Sequence, residues 1–325
     1  LPGLYGNRPL SGKWQLDTEL ALHADACHTL TRYSPDRDLQ LKPYRLWVRL
    51  SRPQMELRLG LQKINFGSAM LVRPLMWFDR IDARDPLQLT DGVYGALARY
   101  YFLNNANIWL WGLYGNDTLK GWEILASAKN SIEYGGRVQW PLAKGEIGLT
   151  GHWRHINTKK GYLSNEASVP EQRWAVDGKW DLGVGLWFES ALIHRRLPGT
   201  WLAAQAMNTL GADYTFSWGR GLYVLTEYMQ LSSGRQVWPS DDHLSLSALS
   251  LRYHVGLLDM VQLLYYYDWN HAEHYRLLNW SRTYDRWQLI LMAFWNPRQF
   301  LLYQHLQDAT AFSGNGLQGM IVFTF

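Results

Sequence analysis

The chain closes on Gly316–Phe325, G-L-Q-G-M-I-V-F-T-F, and this stretch decides how the rest is read. Leu317, Gly319, Ile321, Phe323 and Phe325 share one face of an extended strand, and Gln318, Met320, Val322 and Thr324 share the other. At the edge of a water-soluble sheet, a Phe-X-Phe terminus frays or pairs with a neighbouring molecule. The pattern suits a strand zipped between two neighbours, with one face against an apolar medium.

The same period of two recurs upstream. Trp14, Leu16, Thr18, Leu20 and Leu22 alternate with Gln15, Asp17, Glu19, Ala21 and His23. Tyr44, Leu46, Val48 and Leu50 oppose Arg45, Trp47 and Arg49. After the turn Ser51-Arg52-Pro53, Met55, Leu57, Leu59 and Leu61 oppose Glu56, Arg58, Gly60 and Gln62. Farther on, Tyr134, Val138 and Trp140 oppose Glu133 and Arg137, and Trp174 and Trp180 oppose Arg173 and Asp177. Carboxylates and guanidinium groups inside strands need water on their own face, and apolar side chains on the other face need its absence.

The C-terminal strand resembles that of Gram-negative outer-membrane β-barrels, which ends in an aromatic residue. The run Gln62–Tyr101, Q-K-I-N-F-G … D-R-I-D-A-R-D-P-L-Q-L-T-D-G-V … A-R-Y-Y, is similar to a segment of outer-membrane porin-like families. The resemblance implies a barrel and no particular solute.

Composition agrees with a barrel. The 325 residues are 47% hydrophobic but only 18% charged, with 18 Trp and 19 Tyr. The mean hydropathy is −0.27, and no apolar run of about 18 residues offers a helical span. Half of every barrel strand faces a polar lumen, and aromatic residues belt the interfaces. With a single cysteine, Cys27, the chain has no internal disulfide. A net charge of +4, dispersed along the chain, argues against a nucleic-acid partner. The opening L-P-G-L-Y-G reads as a mature chain whose signal peptide has been removed.

The pattern predicts an all-β chain, residues 1–325 as one transmembrane antiparallel barrel of about 16 strands. Short connections fall near 52, 105, 142, 182, 220, 256 and 297, and long ones near 32, 78, 122, 163, 198, 237, 276 and 311. That alternation is expected of short periplasmic turns and long outer loops. Loops are expected at Asp25–Leu39 and Trp269–Arg282, and a strand at Phe300–Leu306.

Residues 66–91 hold two Pro and no sustained period of two, and are too long for a simple connection. Met76, Trp77 and Phe78 stand beside Arg73, Asp79, Arg80, Asp82, Arg84 and Asp85. Folded inward, such a segment constricts a pore, its carboxylates facing wall arginines. The predicted pore-lining set is Arg45, Arg49, Glu56, Arg58, Glu133 and Arg137 on the wall, with Arg73, Asp79, Arg80, Asp82, Arg84 and Asp85 on the segment. The segment packing on neighbouring outer loops is the alternative.

Catalytic signatures are missing: there is no G-x-S-x-G and no H-E-x-x-H. His23, Asp25, Cys27 and His28 cluster in a predicted loop, where chance outweighs a soft-metal site. No metal or cofactor is expected. Trp109–Trp111 and Tyr265, Tyr266 and Tyr267 read as an interfacial aromatic girdle or as a subunit or partner contact. The expected function is passive diffusion of small hydrophilic solutes across the outer membrane of a Gram-negative bacterium. The expected partners are outer-membrane lipid, the solutes, and either copies of the chain or an outer-membrane partner protein. Two alternatives remain: a barrel that sheathes or docks a plug, lipoprotein or electron-transfer protein, and an outer-membrane enzyme.

Overall fold

Backbone amides in a strand find partners only on neighbouring strands, so the alternating segments must assemble into one ladder. A computed structural model describes residues 2–30, 35–159, 167–238, 240–297 and 312–323. The first six strands are β1 (Gly3–Pro9), β2 (Gln15–Leu30), β3 (Pro35–Arg52), β4 (Met55–Gln62), β5 (Val93–Tyr101) and β6 (Asn107–Tyr114). Next come β7 (Ile132–Leu142), β8 (Gly145–Asn157), β9 (Ser168–Asp181), β10 (Gly185–Arg195), β11 (Ala204–Phe216) and β12 (Leu222–Gly234). The described strands end with β13 (Asp242–His254), β14 (Asp259–Asp268), β15 (Glu273–Thr283), β16 (Trp287–Trp295) and β17 (Asn315–Phe323). All 17 belong to one sheet. Each pairs antiparallel with its neighbour in sequence, from β1 with β2 to β16 with β17.

Three expectations about segments change. The predicted loop Asp25–Leu39 is strand on both sides, because β2 and β3 continue their pairing to Leu30 and Pro35. The predicted loop Trp269–Arg282 contains β15, which sets Tyr275, Leu277, Asn279 and Ser281 against the core and pairs along its length with β14. β1 is an additional strand, laid against the first half of β2. The predicted strand Phe300–Leu306 lies outside the described residues.

The connections still divide between the two ends of the sheet, but not strictly by length: 269–272 has four residues, fewer than 102–106 or 217–221. Links at 53–54, 102–106, 143–144, 182–184, 217–221, 255–258 and 284–286 lie at one end of the sheet. At the other end lie 63–92, 115–131, 196–203 and 269–272, together with the strand ends at Asn157, Ser168, Gly234, Asp242, Trp295 and Asn315. Position 297 therefore belongs to the second end, and β15 turns back at 284–286 instead.

One face of the sheet is exposed and apolar: Leu46, Leu110, Tyr134, Leu149, Trp174, Leu210, Leu291 and Leu317 point outward. The other face is covered, and residues 63–92 cover most of it. Ile64, Phe66, Leu75, Trp77 and Phe78 pack against Val93 and Leu97 of β5, Trp111 and Leu113 of β6, Ala191 and Ile193 of β10 and Met207 of β11. Leu71 and Val72 pack in a second cluster with Leu225 of β12, Leu264 of β14, Leu277 of β15 and Ile290 and Met292 of β16, with Val322 of β17 against it. A single segment meets strands from β5 to β17 only if the sheet curls around it.

Trp109 and Trp111, read from sequence as part of a girdle or an interface, face this interior. Phe66 stacks on Trp111 with ring centroids 5.7 Å apart and meets Trp109 edge-on at 6.4 Å. Tyr266 is buried inward as well. Tyr265 and Tyr267 meet His274 instead, on the outward face.

Candidate functional site

An irregular segment carries backbone N–H groups that no strand satisfies, so burying it requires acceptors on the wall. Two inward glutamates supply them. Glu227 of β12 accepts N–H bonds from Met70 (2.6 Å), Leu71 (2.8 Å) and Val72 (2.7 Å), and another from Trp187 Nε1 (2.9 Å). Glu189 of β10 accepts from Ala69 N (2.7 Å) and Leu75 N (3.2 Å). Thr209 Oγ1 donates to Val72 O at 2.9 Å. Gly67, at φ +96°, lets the chain pass against the Glu189 carboxylate, where a Cβ would overlap it.

The predicted site residues divide into groups. Arg73 and Asp79 pair within the segment at 3.1 Å, and both are buried. Asp82 holds Arg84 through the Arg84 N–H, Nε and Nη2. Asp85 accepts from Leu87 N (2.9 Å) and Leu89 N (3.0 Å). Arg80 N donates to Thr90 Oγ1 at 2.9 Å. Arg45 reaches across from β3 and donates to Thr90 O at 3.1 Å, fixing the far end of the segment. The expectation that the segment's carboxylates face wall arginines therefore fails for Asp79, Asp82 and Asp85: two pair with arginines of the segment itself, and the third caps its backbone.

The wall arginines have partners of their own. Arg49 pairs with Asp17 (2.8 Å), Arg58 with Glu56 (2.9 Å), and Arg99 lies 3.7 Å from Glu56. Arg58 and Arg99 also lie over Trp47 and Trp109, 4.7 and 3.7 Å from the ring centroids. Arg137 grips Asp177 with both terminal nitrogens, at 2.5 and 2.8 Å, and Glu133 Oε2 lies 3.3 Å from His152 Nε2.

A second inward segment, residues 115–131, is locked by a network not predicted from sequence. Glu171 of β9 meets Arg154 (2.6 Å), Arg173 (2.8 Å) and Arg195 (2.6 Å), and Glu123 of the segment meets Arg154 (2.7 Å) and Arg173 (2.6 Å). All five side chains are buried. Trp122 Nε1 donates to Arg73 O at 3.0 Å and Gly121 N to Asp79 O at 3.1 Å, so the two inward segments support each other. Burial pushes the Lys120 ammonium below its ordinary pKa, against the pull of Glu123. Strand parity puts Arg173 on the polar face with Asp177. Glu171 and Arg195 lay beyond the strand ends legible in the sequence.

A polar cavity of about 170 Å³ remains between residues 83–88 and the wall strands β13–β16. Of the predicted site residues, Arg84 and Asp85 line it. Among the described residues no group of three His, Cys, Asp or Glu side chains gathers as a metal site. The side chains of Asp25, Cys27 and His28 lie outside the described residues.

No protein-family model matches the chain, and no curated protein matches it in sequence. Solved structures do match. The in-vitro folded OmpT, an outer membrane protein of Vibrio cholerae in its trimer form, is 10% identical with a TM-score of 0.54, over 99% of this chain and 90% of that one. The anion-selective porin from Comamonas acidovorans is 14% identical with a TM-score of 0.51, over 99% and 88%. Salmonella typhi OmpF, in complex with daunomycin, is 10% identical with a TM-score of 0.53, over 81% of each chain. At these identities the likeness is one of fold: the chain has the all-β, antiparallel architecture of a porin-like outer-membrane β-barrel.

Proposed function

We propose that the protein lies in the outer membrane of a Gram-negative bacterium and conducts small hydrophilic solutes by passive diffusion, without catalysis. The observation that carries this reading is the placement of residues 63–92. They lie inside the curled sheet, are bonded to Glu189 and Glu227, and leave a polar gap against β13–β16. In this reading Arg84 and Asp85 border the path, and Arg45, Arg73 and Asp79 hold the constriction in shape. Arg49, Glu56 and Arg58 line the vestibule at the turn end, and Glu133 and Arg137 brace the wall. The outward Trp, Tyr and Leu side chains contact lipid or a neighbouring copy.

Single-channel recording in a planar bilayer under a salt gradient tests it. The expected result is a small, steady current, with a reversal potential that moves when Asp85→Asn removes a charge beside the gap. A folded barrel without current would overturn the channel and favour the sheath or docking reading. That alternative draws support from the dry packing of Phe66, Trp77 and Phe78 across the interior. Turnover of lipid or peptide by the purified protein would overturn the non-catalytic reading.

A further inference from the structure

The cavity beside residues 83–88 is asymmetric in its chemistry. On the wall, Arg252 of β13, Gln262 of β14 and Asn279 of β15 occupy one register row, Arg252 opposite Gln262 and Gln262 opposite Asn279. All three line the cavity. Gln262 Nε2 is already committed, donating to Ser250 Oγ at 3.1 Å. The other two keep unmet capacity: Arg252 Nε is a buried donor without an acceptor, and Asn279 Oδ1 a buried acceptor without a donor. Asn279 is only 7% exposed, so water reaches its oxygen poorly.

Charge sharpens the contrast. Among the described residues, Arg252 makes no ion pair; its guanidinium lies 5.2 Å from the centroid of the Tyr223 ring. Across the gap, the segment brings Arg84, neutralised by Asp82, and the Asp85 carboxylate, which also caps Leu87 N and Leu89 N, to the same cavity. Leu264 and Leu277, paired one row away from Gln262 and Asn279, supply an apolar patch beside these polar groups. A ligand that meets all of this accepts hydrogen bonds with a negative group at one end, donates with a positive group at the other, and has a short apolar body.

We propose that this cavity is a binding subsite for a small zwitterion of the free amino-acid class. The carboxylate sits at Arg252, the ammonium faces Asn279 Oδ1 and Asp85, and the side chain lies on Leu264 and Leu277. An isolated carboxylate leaves the Asn279 oxygen unmet, and a neutral polyol leaves Arg252 without a counter-charge; each omission costs binding. A volume of about 170 Å³ suits a small side chain and excludes a peptide. The inference rests on the channel reading for the ligand's route to the cavity, but occupancy itself does not require conduction.

The test is titration calorimetry of the intact purified barrel in detergent with L-alanine, with propionate and with glycerol as separate probes. L-alanine is expected to bind saturably and more tightly than either. Arg252→Gln should weaken that binding about tenfold, the scale of a charged hydrogen bond. Asn279→Leu, which keeps the heavy-atom count and branching, should weaken it by a smaller factor. The heat-modifiable migration of each variant shows whether it folds. Propionate or glycerol binding as tightly as L-alanine, or unchanged affinity in folded Arg252→Gln protein, overturns the proposal. Current without L-alanine binding would break this inference and leave the channel standing; L-alanine binding without current would do the reverse.

Discussion

The two halves of the inward segment are held in opposite ways. Residues 64–79 give their side chains to the core and their backbone to the wall: Val72, Leu75, Trp77 and Phe78 are buried, and Glu189 and Glu227 take the N–H groups of residues 69–72 and 75. Residues 80–89 look after themselves. Asp82 and Asp85 satisfy the segment's own arginine and backbone, and Leu87 is exposed. The first half fills the interior, and the second leaves the polar gap. A wall that bonds to backbone fixes a segment irrespective of its side chains, whereas self-capped turns need only a place to rest.

Breaking the first half should cost most. Glu227→Ala strips the acceptor from three consecutive N–H groups and from Trp187, and hydrogen bonds to a charged group contribute about 1.5–3 kcal/mol each. Partial rescue by water brings the net loss to roughly 3 kcal/mol or more, measured as a lower denaturant midpoint for the folded barrel. In the second half, Asp82→Asn keeps an acceptor for Arg84 and removes one charge from a pair in which Arg84 is buried and Asp82 is 14% exposed. Because a hydrogen-bond acceptor is kept, its cost should be smaller, about 1–2 kcal/mol on the same scale. Equal losses for the two substitutions would dissolve the distinction between the halves.

The sequence exposed the fold well where one side of a strand was uniformly apolar. Gly316–Phe323, the hairpin of β3 and β4, and β7 to β9 all alternate as the structure does. It concealed β15, E-H-Y-R-L-L-N-W-S-R-T, because Asn279 and Ser281 put polar atoms on the inward face while His274, Arg276 and Arg282 put them on the other. It concealed β1, whose seven residues include two Gly and a Pro. The site was half legible. Length and mixed composition marked residues 66–91 as inward-folding, and parity turned Glu189 and Glu227 inward. That those glutamates clamp the segment could not be read, since their partners are backbone N–H groups that any residue but proline supplies. The pairing of Asp82 with Arg84, two positions apart, was equally hidden by a pattern that suggested bonds across the pore.

The most direct test is the single-channel conductance of the protein against a variant in which residues 68–78 are replaced by a short Gly-Ser linker. If the segment occupies the lumen, the variant, once shown to fold by heat-modifiable migration, conducts several-fold more current and loses selectivity between cation and anion. Equal conductance in the two proteins would mean that residues 63–92 do not limit the pore, and would contradict the account.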